Sequence, residues 1–236
     1  MAALFRRGDR KPTANSEKKL YLQPEGLVLV YNLVGQMYEI SKLPPHADVC
    51  EWLATNTLSF FNQINTQYEV VSELCTASTC PTMSAGSITY EWQDGKNKRH
   101  SKLPAKEYID SALTMIQKQL QDDSIFPTKF GYEFPPALFQ IMKKIYRLYF
   151  HILAHLYHHH FHEYQLLRVQ DCLNTVFLHF VYFVQEFQLL DSRELSPLED
   201  FIQRLISLDK DLQKHPPQDD HDTDPVSASV VAKTQN

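Results

Sequence analysis

Glycine is scarce in this chain. Only 6 of 236 residues are Gly, and neither a G-x-G-x-x-G fingerprint nor a Walker-type loop occurs. Both motifs need glycine so that backbone N–H groups can approach phosphate closely. A Gly-rich α/β nucleotide-binding fold is therefore disfavoured. Long apolar runs are also missing: no stretch approaches the ~20 residues that cross a bilayer as a helix. The first residues, MAALFRRGDRKPTANSEKK, are basic but lack the apolar centre of a secretory signal. An excess of positive charge is absent as well. Lys and Arg total 23 against 28 Asp and Glu, a net charge of −5, which gives no support to nucleic-acid binding. Cysteine is limited to Cys50, Cys75, Cys80 and Cys172, too few for a disulfide framework in a chain of this size and better read as reduced thiols. No H-E-x-x-H marks a zinc hydrolase, and no internal repeat is visible.

What is present is apolar and aromatic. Hydrophobic residues make up 43 % and aromatics 12 %, enough for one substantial buried core. Residues 1–20 are polar and without apolar period, so a flexible arm is expected. Residues 211–236, rich in Pro, Asp and Ser, are expected to be a disordered tail. Between them, residues 21–210 form one domain. Asp48 to about Leu74 reads as a helix capped by Asp48 after Pro44-Pro45, with Trp52, Leu53, Phe60, Phe61, Ile64 and Tyr68 on its apolar face. SITYEWQDGKNKRHSKL reads as one β-hairpin, with Ile88, Tyr90 and Trp92 alternating and Asp94-Gly95 at the turn. Helical period returns over Ala105–Leu120, about Ala137–Arg168, roughly Leu173–Phe187 and about Pro197–Ser207. The expected class is all-α: a four-helix-bundle core with flanking helices and one small hairpin.

Two features carry chemistry. Cys75 and Cys80 sit five positions apart in ELCTASTCP. AHLYHHHFHEY supplies His155, His158, His159, His160 and His162. Two thiolates and two imidazoles make the tetrahedral donor set that zinc prefers. Each half alone has an ordinary explanation, because free Cys is often a small buried hydrophobe and a helical His is often a satisfied polar residue. Helix geometry favours His155 paired with His158 or His159. His155 and His160 lie about 140° apart around an ideal helix, so that pair requires a local bend.

Several blocks resemble one family. DVCEWLATNTLSFFNQINTQYEVVSELCTASTCPTMSAG, YEWQDG, LPAKEYID, IFPTKFGYEFP, AHLYHHHF and LNTVFLHFVYFVQEFQLLDSREL, in that order, are similar to the signature of the Mob (Mob/phocein) kinase coactivators. The resemblance spans about residues 21–207 and makes 21–210 a Mob/phocein-like domain. It implies a structural zinc held by Cys75, Cys80, His155 and His160, which overrides the spacing preference for His159. It further implies a non-catalytic partner of NDR/LATS-class AGC kinases that binds their basic N-terminal regulatory segment. Asp48, Glu51 and His179 match positions of the family's kinase-binding surface. Trp52 stands beside Glu51 as an aromatic anchor, and Glu39 adds a further acid. Each acid taken alone is better explained as an ordinary solvated charge, and Trp52 as a core residue.

Departures from the family pattern suggest a branch. The branch that binds phosphopeptides carries a Lys-Arg-Arg cluster where this chain has Arg147, Leu148 and His151. One permanent charge remains, and Leu148 donates no hydrogen bond. Phosphopeptide docking and Hippo-type upstream recruitment are therefore not expected. Ser59 replaces an acid linked to LATS-type pairing. KKLYLQPE resembles the second Mob branch and its fungal members, which partner NDR-type kinases in cell polarity, morphogenesis and cell separation. Cys172 stands where the family usually has His. The expected location is cytoplasmic, with nucleus and cortical polarity sites as further places. Two other readings remain: a phocein-like adaptor in a phosphatase-containing assembly, and a zinc enzyme, which would need an open coordination position. Lys96, Lys98 and Arg99 make a small basic turn, and Thr13 is a candidate phosphorylation position.

Overall fold

The computed structural model describes residues 19–93, 100–129, 131–214 and 229–231. Helices dominate. After 3-10 turns at Leu20–Leu22 and Pro24–Gly26, strand β1 (Val28–Val30) leads through a third turn to α1 (Gln36–Ser41). Helix α2 spans Val49–Val71, α3 Ala105–Leu120 and α4 Leu138–His155. A π-helical segment, Leu156–His160, joins α4 to α5 (Phe161–Leu167). Helix α6 (Gln170–Glu186), the short α7 (Ser192–Leu195), a 3-10 turn at Ser196–Leu198 and α8 (Glu199–Lys214) complete the helical part.

Helices α2, α3, α4 and α6 form the central bundle, with α1 and α8 flanking α6. The sequence dictates α2 closely. The Asp48 carboxylate accepts from the Cys50 and Glu51 amides at 2.8 and 3.0 Å, satisfying two N–H groups that have no partner inside the helix. Leu53, Phe60, Ile64, Tyr68 and Val71 then recur on its buried face, as expected for a 3.6-residue period. Phe60 meets Tyr146, Phe180 and Phe183 at ring separations of 5.4–5.8 Å, within the range where edge-to-face aromatic pairs add stability beyond area burial. Within this core the Tyr149 hydroxyl donates to the Thr57 carbonyl at 3.0 Å, whereas Tyr68 Oη and His179 Nε2 are buried without a hydrogen-bond partner among the described residues.

The flanking elements hang on buried polar side chains. The Asn174 amide donates to the Gly26 and Val28 carbonyls, both at 2.8 Å, and Val30 N–H donates to Thr175 Oγ1 at 3.1 Å. The fully buried Asp209 of α8 accepts from Gly35 N–H at 2.7 Å and from Tyr182 Oη at 2.9 Å. Gly35 has φ +76°, and a Cβ there would stand 2.7 Å from Gln213 Cγ, so glycine alone fits this junction.

Two features differ from the sequence reading. The expected hairpin is divided. Trp92–Gln93 (β4) pairs with His100–Ser101 (β5), whereas Ile88–Thr89 (β3) pairs back with Ser84–Ala85 (β2). Tyr90 leaves the ladder to stack on His151, with ring centroids 3.8 Å apart. Asp94-Gly95, the basic turn Lys96, Lys98 and Arg99, and Thr13 lie outside the described residues. At the C-terminal end, α8 runs to Lys214 rather than stopping near Ser207, because Leu205, Leu208 and Asp209 remain buried. Ser229–Val231 (β6) pairs antiparallel with β1, and the other tail residues beyond Lys214 lie outside the described residues.

Candidate metal centre and binding surface

The two halves of the candidate metal centre are built independently. At the end of α2 the chain turns through a hydroxyl-stitched loop. Thr79 Oγ1 donates to the Leu74 carbonyl at 2.6 Å, Thr76 N–H donates back to Thr79 Oγ1 at 2.9 Å, and Cys80 N–H donates to the Thr76 carbonyl at 2.8 Å. Both thiols are thereby turned inward, Cys75 and Cys80 being 0 % and 3 % exposed. The histidine half is the π segment. In a π turn the hydrogen bond runs five residues along the chain, so residues five apart come into register. The separation of about 140° expected of His155 and His160 on an α-helix is much reduced, and their rings lie 5.3 Å apart. Opposite them, Tyr157 Oη donates to Asn174 Oδ1 at 3.0 Å and its ring packs on Phe161, Phe177 and Phe201.

One ligand atom from each of Cys75, Cys80, His155 and His160 lies within 4.8 Å of the others. Cys75 Sγ is 3.5 Å from His155 Nε2, and Cys80 Sγ is 3.5 Å from His160 Nε2. Zinc–sulfur and zinc–nitrogen bonds of about 2.3 and 2.05 Å in a regular tetrahedron imply an S···N edge of about 3.6 Å. The spacing fits that shell. His155 Nδ1 lies 2.9 Å from the Ser84 carbonyl, so it carries the proton and leaves the Nε2 lone pair facing the thiols, as metal-bound imidazoles require. Burial pushes the Cys75 thiol up to about 12, with Cys80 beside it adding to the shift, and burial holds His155 down at about 3. A divalent cation reverses the thiol penalty by supplying the missing positive charge. Four protein donors fill a tetrahedral ion, so the arrangement suits a structural clip between the α2 loop and the α4–π–α5 helix. His158 and His159 stand outside this group. His158 Nε2 donates to the Pro197 carbonyl at 3.2 Å, and His159 Nε2 is 3.0 Å from Ser84 Oγ.

The residues expected on the partner surface divide by burial. Glu51 is exposed in the first turn of α2 beside the half-buried Trp52. Asp48 is exposed but has one carboxylate oxygen committed to the helix cap. Glu39 on α1 is exposed and paired with Lys42 at 2.8 Å. His179 is different. It is 8 % exposed, its ring 4.8 Å from that of Phe60, and burial lowers its pKa to about 4. It is an uncharged member of the aromatic core between α2 and α6.

The positions of the reduced phosphate cluster are engaged within the domain. Arg147 is hydrogen-bonded through Nε to Glu194. Leu148 packs against the core. His151 Nδ1 is 2.7 Å from Tyr108 Oη, and burial together with the Arg147 charge holds its pKa at about 3. Sequence reasoning missed these partners, Tyr90, Tyr108 and Glu194, and it missed Ser84 at the metal centre. Each is remote in sequence from the residue it holds, and no local spacing announces it.

These elements define an α-helical scaffold with a buried Cys2His2 group where a loop meets a distant helix. The sequence profile described as the Mob1/phocein family matches residues 32–198. A protein of Dictyostelium discoideum named MOB kinase activator-like 1 homolog A is 44 % identical over 174 residues, covering 73 % of this chain and 82 % of its own length. MOB kinase activator 2 of Homo sapiens is 41 % identical over 198 residues, 84 % of this chain and 82 % of its own. MOB kinase activator-like 1A of Medicago sativa subsp. falcata is 43 % identical over 176 residues, 74 % and 82 % respectively. The chain belongs to the Mob1/phocein family. Relatives named 1 and 2 match it about equally, so identity alone does not assign a branch. No helix among the described residues is long and apolar enough to cross a membrane.

Proposed function

We propose that this protein is a non-catalytic coactivator of an AGC protein kinase of the NDR/LATS class, NDR-type in preference, and that its Cys2His2 centre holds a structural zinc. The observation that carries the reading is the exposed Glu51 beside Trp52 at the start of α2, in a chain whose relatives bear the name kinase activator. A carboxylate next to a half-buried aromatic is suited to an Arg- and Lys-rich helical segment. Binding would order the kinase's basic N-terminal segment, which in turn supports docking of its C-terminal hydrophobic motif and a productive αC position. His179 packs on Phe60 as a neutral core ring, so it would act on this surface only through the packing of α2 against α6.

The second-branch preference rests on Arg147, Leu148 and His151. An Arg already joined to Glu194, an aliphatic side chain and a neutral imidazole give little hold on a phosphate dianion. The cellular setting that follows is polarity, morphogenesis or cell separation, in the cytoplasm and at cortical or nuclear sites.

The test is a binding titration of the zinc-loaded protein with the basic N-terminal segment of an NDR-type kinase and a matched LATS-type segment. Selective binding that weakens with salt is expected, because exposed charges are screened within about 8 Å at physiological ionic strength. Glu51→Lys should weaken it by tenfold or more, ~1.4 kcal/mol, for a lost charge pair plus repulsion, without changing the circular dichroism. A folded variant that binds as tightly as wild type removes this surface. Binding to neither segment moves the assignment to an adaptor in a phosphatase-containing assembly.

A further inference from the structure

Strand β1 has two edges with different partners. Val30 N–H donates to Thr175 Oγ1, and the Val28 carbonyl accepts from Asn174 Nδ2. Residues alternate in direction along a strand, so the N–H and C=O of Leu29 face the opposite side. Leu29 is the Cα partner of Val230 in the antiparallel register Val28↔Val231, Leu29↔Val230, Val30↔Ser229. Leu29 is also buried, 2 % exposed. That burial is seen with Ser229–Val231 in place; without it the Leu29 N–H and C=O form an open strand edge, which templates pairing with another extended segment.

We propose that the outer edge of β1 is a strand-acceptor site and that its resident occupant is this chain's own segment Ser229–Val231, docked in cis and exchangeable for a peptide of the same sequence. A ladder of three residue pairs is marginal on its own. It persists because Lys214 and Ser229 belong to one chain, which makes the pairing intramolecular and raises the occupant's effective concentration. The recognition is main-chain pairing of the kind by which extended peptides join exposed sheet edges. The occupant's backbone N–H opposite Leu29 is essential to it.

The test is amide hydrogen exchange on the full-length chain. Val230→Pro removes the donor facing Leu29 and leaves β1 unaltered. Leu29 N–H should exchange about tenfold faster in this variant, the change that corresponds to a docked state favoured by about 1.4 kcal/mol. Val30 N–H, bonded to Thr175, should keep its wild-type rate and serves as the control for the fold. A synthetic peptide of residues 227–233, added at millimolar concentration to the variant, should restore Leu29 protection, and the same peptide carrying proline in place of Val230 should not. Unchanged Leu29 exchange beside unchanged Val30 exchange overturns the proposal, as does failure of the peptide to restore protection. Leu29 protection that rises with wild-type protein concentration assigns the occupant to a second copy and overturns docking in cis.

Discussion

Removing one ligand of the Cys2His2 centre should separate a structural metal from a merely buried thiol. Cys80→Ala takes away one of four donors. Structural zinc in four-ligand sites contributes an apparent ~10–16 kcal/mol, or about 2.5–4 kcal/mol per ligand. The variant should therefore bind zinc roughly 10²–10³-fold more weakly. If Cys80 were only a small hydrophobe, truncating it would cost about 1 kcal/mol and leave metal content unchanged. In a domain of this size each kcal/mol moves the midpoint by about 2–4 °C, so loss of the ligand should lower Tm by roughly 5–15 °C. The assay is zinc stoichiometry against a chromophoric chelator, followed by thermal unfolding with and without that chelator. Wild type should hold one equivalent and lose Tm on chelation. Cys80→Ala should start lower and respond little further. Cys172→Ala, at an exposed position, should match wild type in every respect. A Cys80→Ala protein that retains zinc at wild-type affinity, or a wild type indifferent to chelation, refutes the reading of the 3.5 Å S···N contacts as a metal shell.

Two more outcomes follow from the geometry around α2 and α6. Asp48→Ala should cost about 1 kcal/mol through loss of the cap, measured by denaturant midpoint, whereas Asp48→Asn should recover most of it; equal losses would place the role of Asp48 outside the cap. His179 has a folded pKa of about 4 against an ordinary 6.5, so its neutral form is the one that stabilises the fold. That contribution is complete above pH 6.5 and is lost as pH falls towards 4, about 2 kcal/mol between pH 7 and pH 5. His179→Phe, placed between Phe60 and Phe183, should flatten that part of the stability–pH curve, and an unchanged acid slope would show that other groups produce it.

The metal centre shows where sequence reading runs out. C-x4-C and the histidine run are visible as residue types, and the donor chemistry follows from them. Which histidines take part does not, because α-helical spacing pairs His155 with His158 or His159. The π turn, invisible to any 3.6-residue period, brings His160 to the thiols, while His159 stays stacked on His155 outside the group. The Asp94-Gly95 hairpin was legible only in part, since Tyr90 leaves the strand for a tertiary contact with His151. His179 reads as an ordinary polar residue in a helix, and only packing against Phe60 makes it a neutral core ring.

What the sequence determined by itself is local. The Asp48 cap, the apolar stripe of α2, the limits Ala105–Leu120 of α3 and the candidate soft donors all depend on neighbours within a few residues, where backbone geometry and hydrophobic period act directly. Tertiary structure decided what joins across the chain: Cys75 with His155, Arg147 with Glu194, Asp209 with Gly35, and Val28–Val30 with Ser229–Val231. Those pairings depend on helix packing and on burial of polar groups that must find partners wherever the fold places them, and no pattern confined to one segment encodes them.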